Sequence, residues 1–237
     1  MERDEFYRQI DELKGRRVAV PALIRKVYTW MALALAITGV TAYGVAISPN
    51  LISLIFGSRL MFFGLIVAEL AMVVILSARL NRLSLTSATL LFVGYSVLNG
   101  VTMSSIFLVF TMSSIASTFF ICAATFAAMS AYGAFTKSDL SSMGKLMFMA
   151  LIGLIIATVV NIFVASSTLD LIISYVGVLV FVGLTAWDTQ KIKMMLSQAD
   201  YMDESAQKVA LVGALSLYLD FVNLFLYMLR IFGGRRD

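Results

Sequence analysis

Seven apolar segments, each about 20 residues or longer, constrain the fold of this chain more than any other feature. Their predicted bounds are roughly 27 to 47, 60 to 79, 85 to 110, 115 to 135, 146 to 166, 170 to 190 and 208 to 231. A helix of about 20 apolar residues is long enough to cross the hydrocarbon core of a bilayer. Hydrophobic residues make up 60% of the 237 positions and charged residues 14%, a composition that excludes a soluble globular domain. The sequence therefore predicts an all-α membrane protein with seven transmembrane helices.

The charge distribution predicts the orientation of these helices. Residues 1–26 mix acidic and basic side chains without a signal-peptide core, so we expect a cytoplasmic tail followed by one transmembrane domain over 27–234. With the amino terminus inside, most of the 18 lysines and arginines lie on the cytoplasmic side. This predicts a multi-pass protein of the cell (inner) membrane with its carboxyl terminus outside. A re-entrant last segment, which would leave both termini in the cytoplasm, is the alternative.

The last apolar segment has an aspartate near its middle. At about 100° per residue, its polar and small residues share one face of the helix. These residues are Gly213, Ser216, Asp220, Asn223 and Tyr227. A carboxylate at the bilayer centre is disfavoured by roughly 2.5 to 3.5 kcal/mol on insertion scales, so Asp220 must face protein or water. We therefore expect the other helices to surround this one.

The sixth segment has a second aspartate on a similar face. That face is formed by Ser174, Gly177, Phe181, Thr185 and Asp188. The sixth and seventh segments are adjacent in sequence, which favours antiparallel neighbours with both acids turned inward. Two carboxylates that meet in a low-dielectric setting share a proton and titrate as a pair. Straight helices would leave Asp188 and Asp220 about 10 Å or more apart in depth, so pairing requires a tilt, a kink or shifted helix bounds.

Other polar residues within the predicted spans are open to two interpretations. Glu69 in the second segment is either a hydrogen-bonded structural acid or a residue that contacts ions. Asn99 in the third segment is either a link between helices or part of an ion path. We include Ser216 and Asn223 as further candidates for that path. Small residues at positions 123, 127 and 131 predict a ridge through which the fourth helix packs on a neighbour.

The residues that are absent limit the chemistry. The chain has no histidine and one cysteine, Cys122, so neither an internal disulfide nor a histidine-based metal site is expected. No nucleophile with a base at a usable spacing and no phosphate-binding glycine loop is present, so we do not expect an enzyme. Neither a cofactor nor a nucleic-acid partner is predicted. Any metal site must use oxygen ligands, and Asp188, Asp220 and Glu69 are the tentative ligands for calcium.

Four stretches resemble a known membrane protein family. They are GLTAWDTQKIK at 183–193, ALSLYLDFVNLFLYMLRIFG at 214–233, VYTWMALALAITGVTAY at 27–43 and GYSVLNGVTMSSIF at 94–107. All four are similar to segments of the transmembrane Bax inhibitor motif family, in its bacterial, Bax inhibitor-1-like and lifeguard-like members. The resemblance covers nearly all of residues 20–234.

This resemblance implies a fold and an activity. The fold is seven helices arranged as two three-helix layers around a central carboxyl-terminal helix, and the activity is a pH-sensitive calcium leak. The family's paired intramembrane aspartates correspond to Asp188 and Asp220. The resemblance also implies a basic latch for the aspartate of the sixth helix, for which Arg79 and Arg82 are the candidates.

The function predicted from these features is a passive calcium or cation leak gated by protonation of the aspartate pair. Two alternatives use the same residues differently. A proton-coupled transporter of small solutes would use the carboxylates as a relay. A regulatory membrane protein would bind and restrain another complex, such as a membrane protease.

Overall fold

The computed structural model describes residues 2–79, 82–198, 202–234 and 236, with side chains described from Val20 onward. The helices in these ranges are α1 Glu2–Ala46, α2 Pro49–Phe56, α3 Arg59–Ala78, α4 Leu85–Met103, α5 Ile106–Val109, α6 Met112–Phe135, α7 Ser141–Val164, α8 Ser167–Ser197 and α9 Glu204–Phe232. Within the described ranges, seven helical segments are long and apolar enough to span a membrane. The prediction of an all-α membrane protein with seven spanning segments is confirmed.

Some helices extend beyond the apolar segments that predicted them. The first candidate span begins at Val20 and not at 27, and α7 begins at Ser141 and not at 146. Helix α8 continues to Ser197, past the predicted end at 190. Hydropathy locates the apolar part of a helix, whereas polar residues can continue the same backbone hydrogen bonding beyond it. The predicted ends were therefore wrong for these helices.

Hydroxyl side chains fix the starts of three helices. Ser58, Ser84 and Thr111 precede α3, α4 and α6, and each accepts a hydrogen bond from the backbone N–H three residues further on. Such caps satisfy amide groups that have no partner within the helix. At the other end of α7, Ala165 adopts a left-handed conformation with φ 53° and ends the helix.

The chain folds into two compact units, and the first comprises Met1–Ser105 with Ile192–Leu215. In this unit α4 packs against both α1 and α3. Gly100 permits the close approach of α1, because a Cβ at this position would lie 2.7 Å from the backbone oxygen of Thr38. The Thr38 hydroxyl donates a hydrogen bond to the Ser96 carbonyl at 2.9 Å. The Lys26 ammonium donates to the Gln207 side chain at 2.8 Å.

The second unit comprises Ile106–Lys191 and Ser216–Asp237. Its carboxyl-terminal residues pair with the start of α6, because the Thr111 N–H donates to the Gly234 carbonyl at 3.1 Å. The Arg236 N–H donates to the Val109 carbonyl at 2.9 Å. A Cβ at Gly177 would lie 2.7 Å from the Tyr227 ring, so this glycine lets α8 and α9 approach closely.

Helix α9 is the most buried of the seven candidate spans. In its most apolar stretch 67% of residues are buried, compared with 50% in α8 and between 6% and 33% in the other five. Large apolar side chains are exposed along those other helices, as expected for surfaces that face lipid. The central position of α9 among the other helices stays a prediction. The arrangement in two three-helix layers stays a prediction.

Candidate functional site: an intramembrane aspartate pair

Two glycines bring neighbouring helices close to α8 immediately before Asp188. A Cβ at Gly133 of α6 would collide with the backbone of Ala186, and a Cβ at Gly144 of α7 would collide with the Trp187 ring. Only glycine permits approaches this close. Three helices therefore meet where the chain reaches Asp188.

Asp188 has a nearby cation on its own helix. Lys191 follows three residues later, a spacing that places two side chains on the same side of a helix. The positive charge of Lys191 acts on the Asp188 carboxyl. The Lys191 ammonium also lies 4.8 Å from the centre of the Trp187 ring, which is a cation–π contact. Asp188 itself is half-buried.

Asp220 is more deeply buried than Asp188. Its side chain lies within α9 and is 5% exposed. Among the described residues, no hydrogen-bond partner reaches its Oδ2 atom. A buried polar atom without a partner costs about 1–3 kcal/mol, and more when the group is charged. A native structure that retains such an atom invites a functional explanation.

The two carboxyl groups belong to the same unit and interact electrostatically. Both lie in candidate spans, away from the helix ends. The two acids that the sequence singled out therefore lie in one unit, within range of each other's charge. Their action as a pH-sensing pair stays a prediction.

Two hydroxyls next to this pair were not predicted from the sequence. Thr189 and Ser130 are both buried, and the Thr189 hydroxyl donates to the Ser130 oxygen at 3.3 Å. They link α6 to α8 immediately after Asp188. The only signal in the sequence is that Thr189 follows the aspartate, because Ser130 lies in an alanine-rich stretch without any distinguishing pattern.

The predicted path residues of α9 differ in their surroundings. Asn223 donates a hydrogen bond from its amide nitrogen to the Leu219 carbonyl at 2.8 Å, so this group is engaged within its own helix. Ser216 is half-buried and lies one turn before Asp220. Both residues lie on the aspartate's helix, and their contact with ions stays a prediction.

Glu69 belongs to a polar cluster in the first unit. The Thr102 hydroxyl donates to Glu69 Oε1 at 2.6 Å and is also 2.9 Å from the backbone oxygen of Asn99. Tyr95 hydrogen-bonds with the Asn99 side chain and interacts with the charge of Glu69. Glu69 therefore has a hydrogen-bond donor within the bilayer region. This agrees with the structural interpretation, whereas its role along an ion path stays a prediction.

The residues predicted to form the latch and the calcium site are divided between the two units. Arg79 immediately follows α3 and Arg82 lies in the turn before α4. Neither forms an ion pair with any residue whose side chain the structure describes, so both stay candidates. Across that same part, no group of three or more Cys, Asp or Glu side chains is placed to hold a metal ion. A calcium site of Asp188, Asp220 and Glu69 thus stays a prediction.

Comparison with known proteins identifies the family. The chain is 48% identical over 234 residues to the inner membrane protein YbhL of Escherichia coli (strain K12), which covers 98% of this chain and all of that protein. It is 47% identical over 214 residues to an uncharacterised protein of Rickettsia prowazekii (strain Madrid E), covering 90% of this chain and 89% of that one. It is 44% identical over 214 residues to an uncharacterised protein of Borreliella burgdorferi, covering 90% and 92%. The family described as inhibitor of apoptosis-promoting Bax1 matches residues 20–237. The chain therefore belongs to the Bax inhibitor family of membrane proteins.

Proposed function

We propose that this protein is a passive, pH-sensitive leak for calcium ions across the inner membrane, gated by protonation of Asp188 and Asp220. The observation that supports this most directly is the buried Asp220 carboxyl, which has an oxygen without a partner among the described residues and interacts electrostatically with Asp188. The location follows from the YbhL relative, which is named as an inner membrane protein. We place the amino terminus in the cytoplasm and the carboxyl terminus outside.

The gating follows from the electrostatics of two acids in a medium of low dielectric constant. When one proton is bound, the pair has a single negative charge and the protonated carboxyl can donate a hydrogen bond. When that proton leaves, a second negative charge develops beside the first, and the pair repels itself. The interaction of the α8 and α9 segments that contain the acids thus depends on pH. Two buried helix segments packed in this way change between discrete arrangements, because protein interiors do not deform continuously.

Lys191 balances part of the charge on Asp188. It lies on the same helix and is exposed. A cation at this position favours the ionised form of Asp188, so the shared proton resides mainly on the more buried Asp220. Asp220 is then the member of the pair whose proton occupancy changes the contact. Arg79 and Arg82 stay candidates for a second basic group that stabilises the closed state.

Calcium fits the available oxygen ligands better than a metal ion that prefers thiolate or imidazole ligands does. It is a hard cation that accepts six to eight oxygen ligands with flexible geometry, including carboxylates, carbonyls and water. Two carboxylates, completed by water and helix carbonyls, make a weak site. Weak binding suits passage, because an ion that binds tightly does not leave. Glu69, Asn99, Ser216 and Asn223 are the further oxygen-bearing groups that we place along the path.

The test is calcium flux into proteoliposomes measured from acidic to alkaline pH. Wild-type protein should give a flux that changes with pH, whereas Asp188→Asn and Asp220→Asn should give fluxes that do not. Asp139→Asn is the matched control, because Asp139 is an exposed carboxylate outside the candidate spans. An unchanged pH response in both aspartate variants would remove the pair from the mechanism. A folded wild-type protein without flux would favour the regulatory alternative.

A further inference from the structure

We propose that a polar cavity at the turn between α7 and α8 binds the headgroup of an aminophospholipid, which has a phosphate and a primary ammonium. The site lies apart from the aspartate pair and does not depend on the proposed leak. It is formed where α7 ends, α8 begins and α9 reaches its last turns. All of its residues belong to the second unit.

The cavity is large enough for such a headgroup and is lined by polar groups. Its volume is about 550 Å³. The polar side chains at its wall are Asn161, Ser166, Ser167, Thr168, Asp170, Ser174 and Arg230. One acid, one guanidinium and several hydroxyls thus face the same space. This combination matches a ligand with one positive and one negative group.

Local hydrogen bonds hold the turn beside the cavity in place. The left-handed Ala165 reverses the chain direction after α7. The Asn161 side-chain oxygen accepts from the Ser166 N–H at 3.1 Å, and the Ser166 hydroxyl accepts from the Leu169 N–H at 3.3 Å. The Asp170 carbonyl accepts from the Ser174 hydroxyl at 2.8 Å. These bonds fix the shape of the cavity wall.

The two charged groups attract each other without completing a hydrogen bond. Arg230 Nη1 lies 3.6 Å from Asp170 Oδ1, and the two side chains are 41% and 47% exposed. The guanidinium is also 5.4 Å from the Tyr227 ring, a stacking contact that limits its movement. Arginine presents several N–H donors in a planar fork that suits phosphate oxygens. A phosphate at Arg230 and an ammonium at Asp170 would complete the hydrogen bonds of both.

Exposed apolar side chains on the helix ends that form this turn favour a lipid over a soluble zwitterion. Ile162, Phe163 and Val164 end α7 and are 72%, 83% and 59% exposed. Leu171 and Ile172 on the first turns of α8 are 47% and 53% exposed. Because the helices that carry them begin or end here, the cavity lies at the level of the bilayer surface. A lipid bound there would place its headgroup in the cavity and its acyl chains along these side chains.

The experiment compares lipids that differ only in the headgroup amine. Protein in nanodiscs of phosphatidylethanolamine or phosphatidylcholine with identical acyl chains is released for native mass spectrometry, and retained lipids are counted. The choline headgroup keeps the phosphate but has no N–H donor. Wild-type protein should retain phosphatidylethanolamine about two- to fivefold more than phosphatidylcholine, as one partly exposed ion pair predicts.

Variants of the two charged groups separate their roles. Asp170→Asn should remove the preference between the two lipids, and Arg230→Gln should reduce retention of both. Arg230→Lys keeps the charge and tests the fork geometry if the glutamine variant does not fold. Asp139→Asn, an exposed acid outside the cavity, should leave the preference unchanged.

Three results would overturn the proposal, two of them from the comparison of lipids and the third from displacement. One is equal retention of the two lipids by wild-type protein, which would mean that the bound lipid is only annular. The second is a preference that survives Asp170→Asn. Soluble phosphoethanolamine should not displace the retained lipid, since it lacks the acyl chains. Displacement at concentrations comparable to those of the lipid would show that the ligand is a soluble zwitterion.

Discussion

Glu69 in the first unit and Asp220 in the second are both carboxylic acids within membrane-spanning helices, yet their surroundings differ. Glu69 receives a short hydrogen bond from Thr102, at 2.6 Å. Asp220 is 5% exposed and has a carboxyl oxygen that no described residue contacts by a hydrogen bond, and it interacts electrostatically with a second acid. The difference shows that one intramembrane acid can be stabilised by its surroundings while another is left able to change its protonation. A hydrogen-bond donor stabilises Glu69. The buried Asp220 oxygen without a partner costs free energy, and a change in protonation of the carboxyl can reduce that cost.

Each unit has a glycine in close contact with a neighbouring helix, and replacing these glycines gives the largest expected effect. Gly133→Ala pushes the new methyl group into the Ala186 backbone, and overpacking of this kind costs about 1–3 kcal/mol of unfolding free energy. The same methyl group displaces the part of α8 that precedes Asp188, so the pH response of calcium flux should weaken. Gly100→Ala in the first unit meets the Thr38 oxygen and should lower the melting temperature without altering that response.

A control glycine on α7 separates the effect of a steric contact from the effect of replacing glycine by alanine as such. A methyl group added at Gly153 would meet no heavy atom within 4 Å, so Gly153→Ala should leave stability unchanged or raise it. Thermal melting in nanodiscs and flux measurements on all three variants provide the check. If Gly100→Ala changed the pH response as much as Gly133→Ala, the contrast between the two units would be wrong.

The second effect tests whether Glu69 depends on its donor. Thr102→Val keeps the side-chain shape and removes the hydroxyl, which leaves Glu69 without that bond and should cost about 1–3 kcal/mol. Asp220→Asn should change the melting temperature less than Thr102→Val does, because one oxygen of Asp220 has no hydrogen-bond partner among the described residues and no bond is lost there. Both are measured by thermal melting.

Thr125→Val is the matched control for the threonine variant. Among the described residues, the Thr125 hydroxyl donates only to the Ile121 carbonyl of its own helix, at 2.9 Å. Its removal should therefore have little effect on stability. A larger loss of stability from Asp220→Asn than from Thr102→Val would reverse the comparison between the two acids.

The sequence predicted the placement of the two aspartates in the helices better than it predicted what surrounds them. Hydropathy and helical periodicity located Asp188 and Asp220 on inward faces because a charge in lipid leaves few alternatives. The packing face of α6 was predicted wrongly. Ala127 and Ala131 are exposed, and the buried line of that helix passes instead through Cys122, Phe126 and Ser130. Small residues permit close contact, but which face is used depends on partner helices that one segment does not reveal.

The same limit applies to hydrogen bonds between distant residues. The link between Ser130 and Thr189 joins positions 59 residues apart, and no local pattern encodes it. The contact of Glu69 with Thr102 is of the same kind. Both depend on the rotation of one helix against another. Element type could thus be predicted from the chain alone, whereas the partner of each buried polar group could not.

A smaller effect is expected from the cation beside Asp188. Lys191→Met keeps the side-chain stem over Trp187 and removes the charge, which makes ionisation of the aspartate pair less favourable. The midpoint of the flux–pH curve should therefore move to higher pH. The shift should be less than about one pH unit, since Lys191 is exposed and solvent screens its charge. Lys137 is an exposed cation in the connection between α6 and α7, and Lys137→Met should leave the midpoint unchanged. A shift to lower pH in Lys191→Met would contradict the role assigned to Lys191.

The smallest effect concerns Asp139, the exposed acid that contrasts most with Asp220. Hydrogen bonds from the Ser141 hydroxyl and backbone N–H hold the pKa of Asp139 below its usual range. Its contribution to stability is therefore present above the unfolded pKa and is lost as pH falls through the lower, folded pKa. Asp139→Asn should lower the melting temperature slightly at neutral pH and remove that part of the acid-induced loss. Because this titration lies in the acidic range and outside the spans, the flux midpoint should not move. A shifted midpoint in Asp139→Asn would mean that surface carboxylates, and not the buried pair, set the pH response.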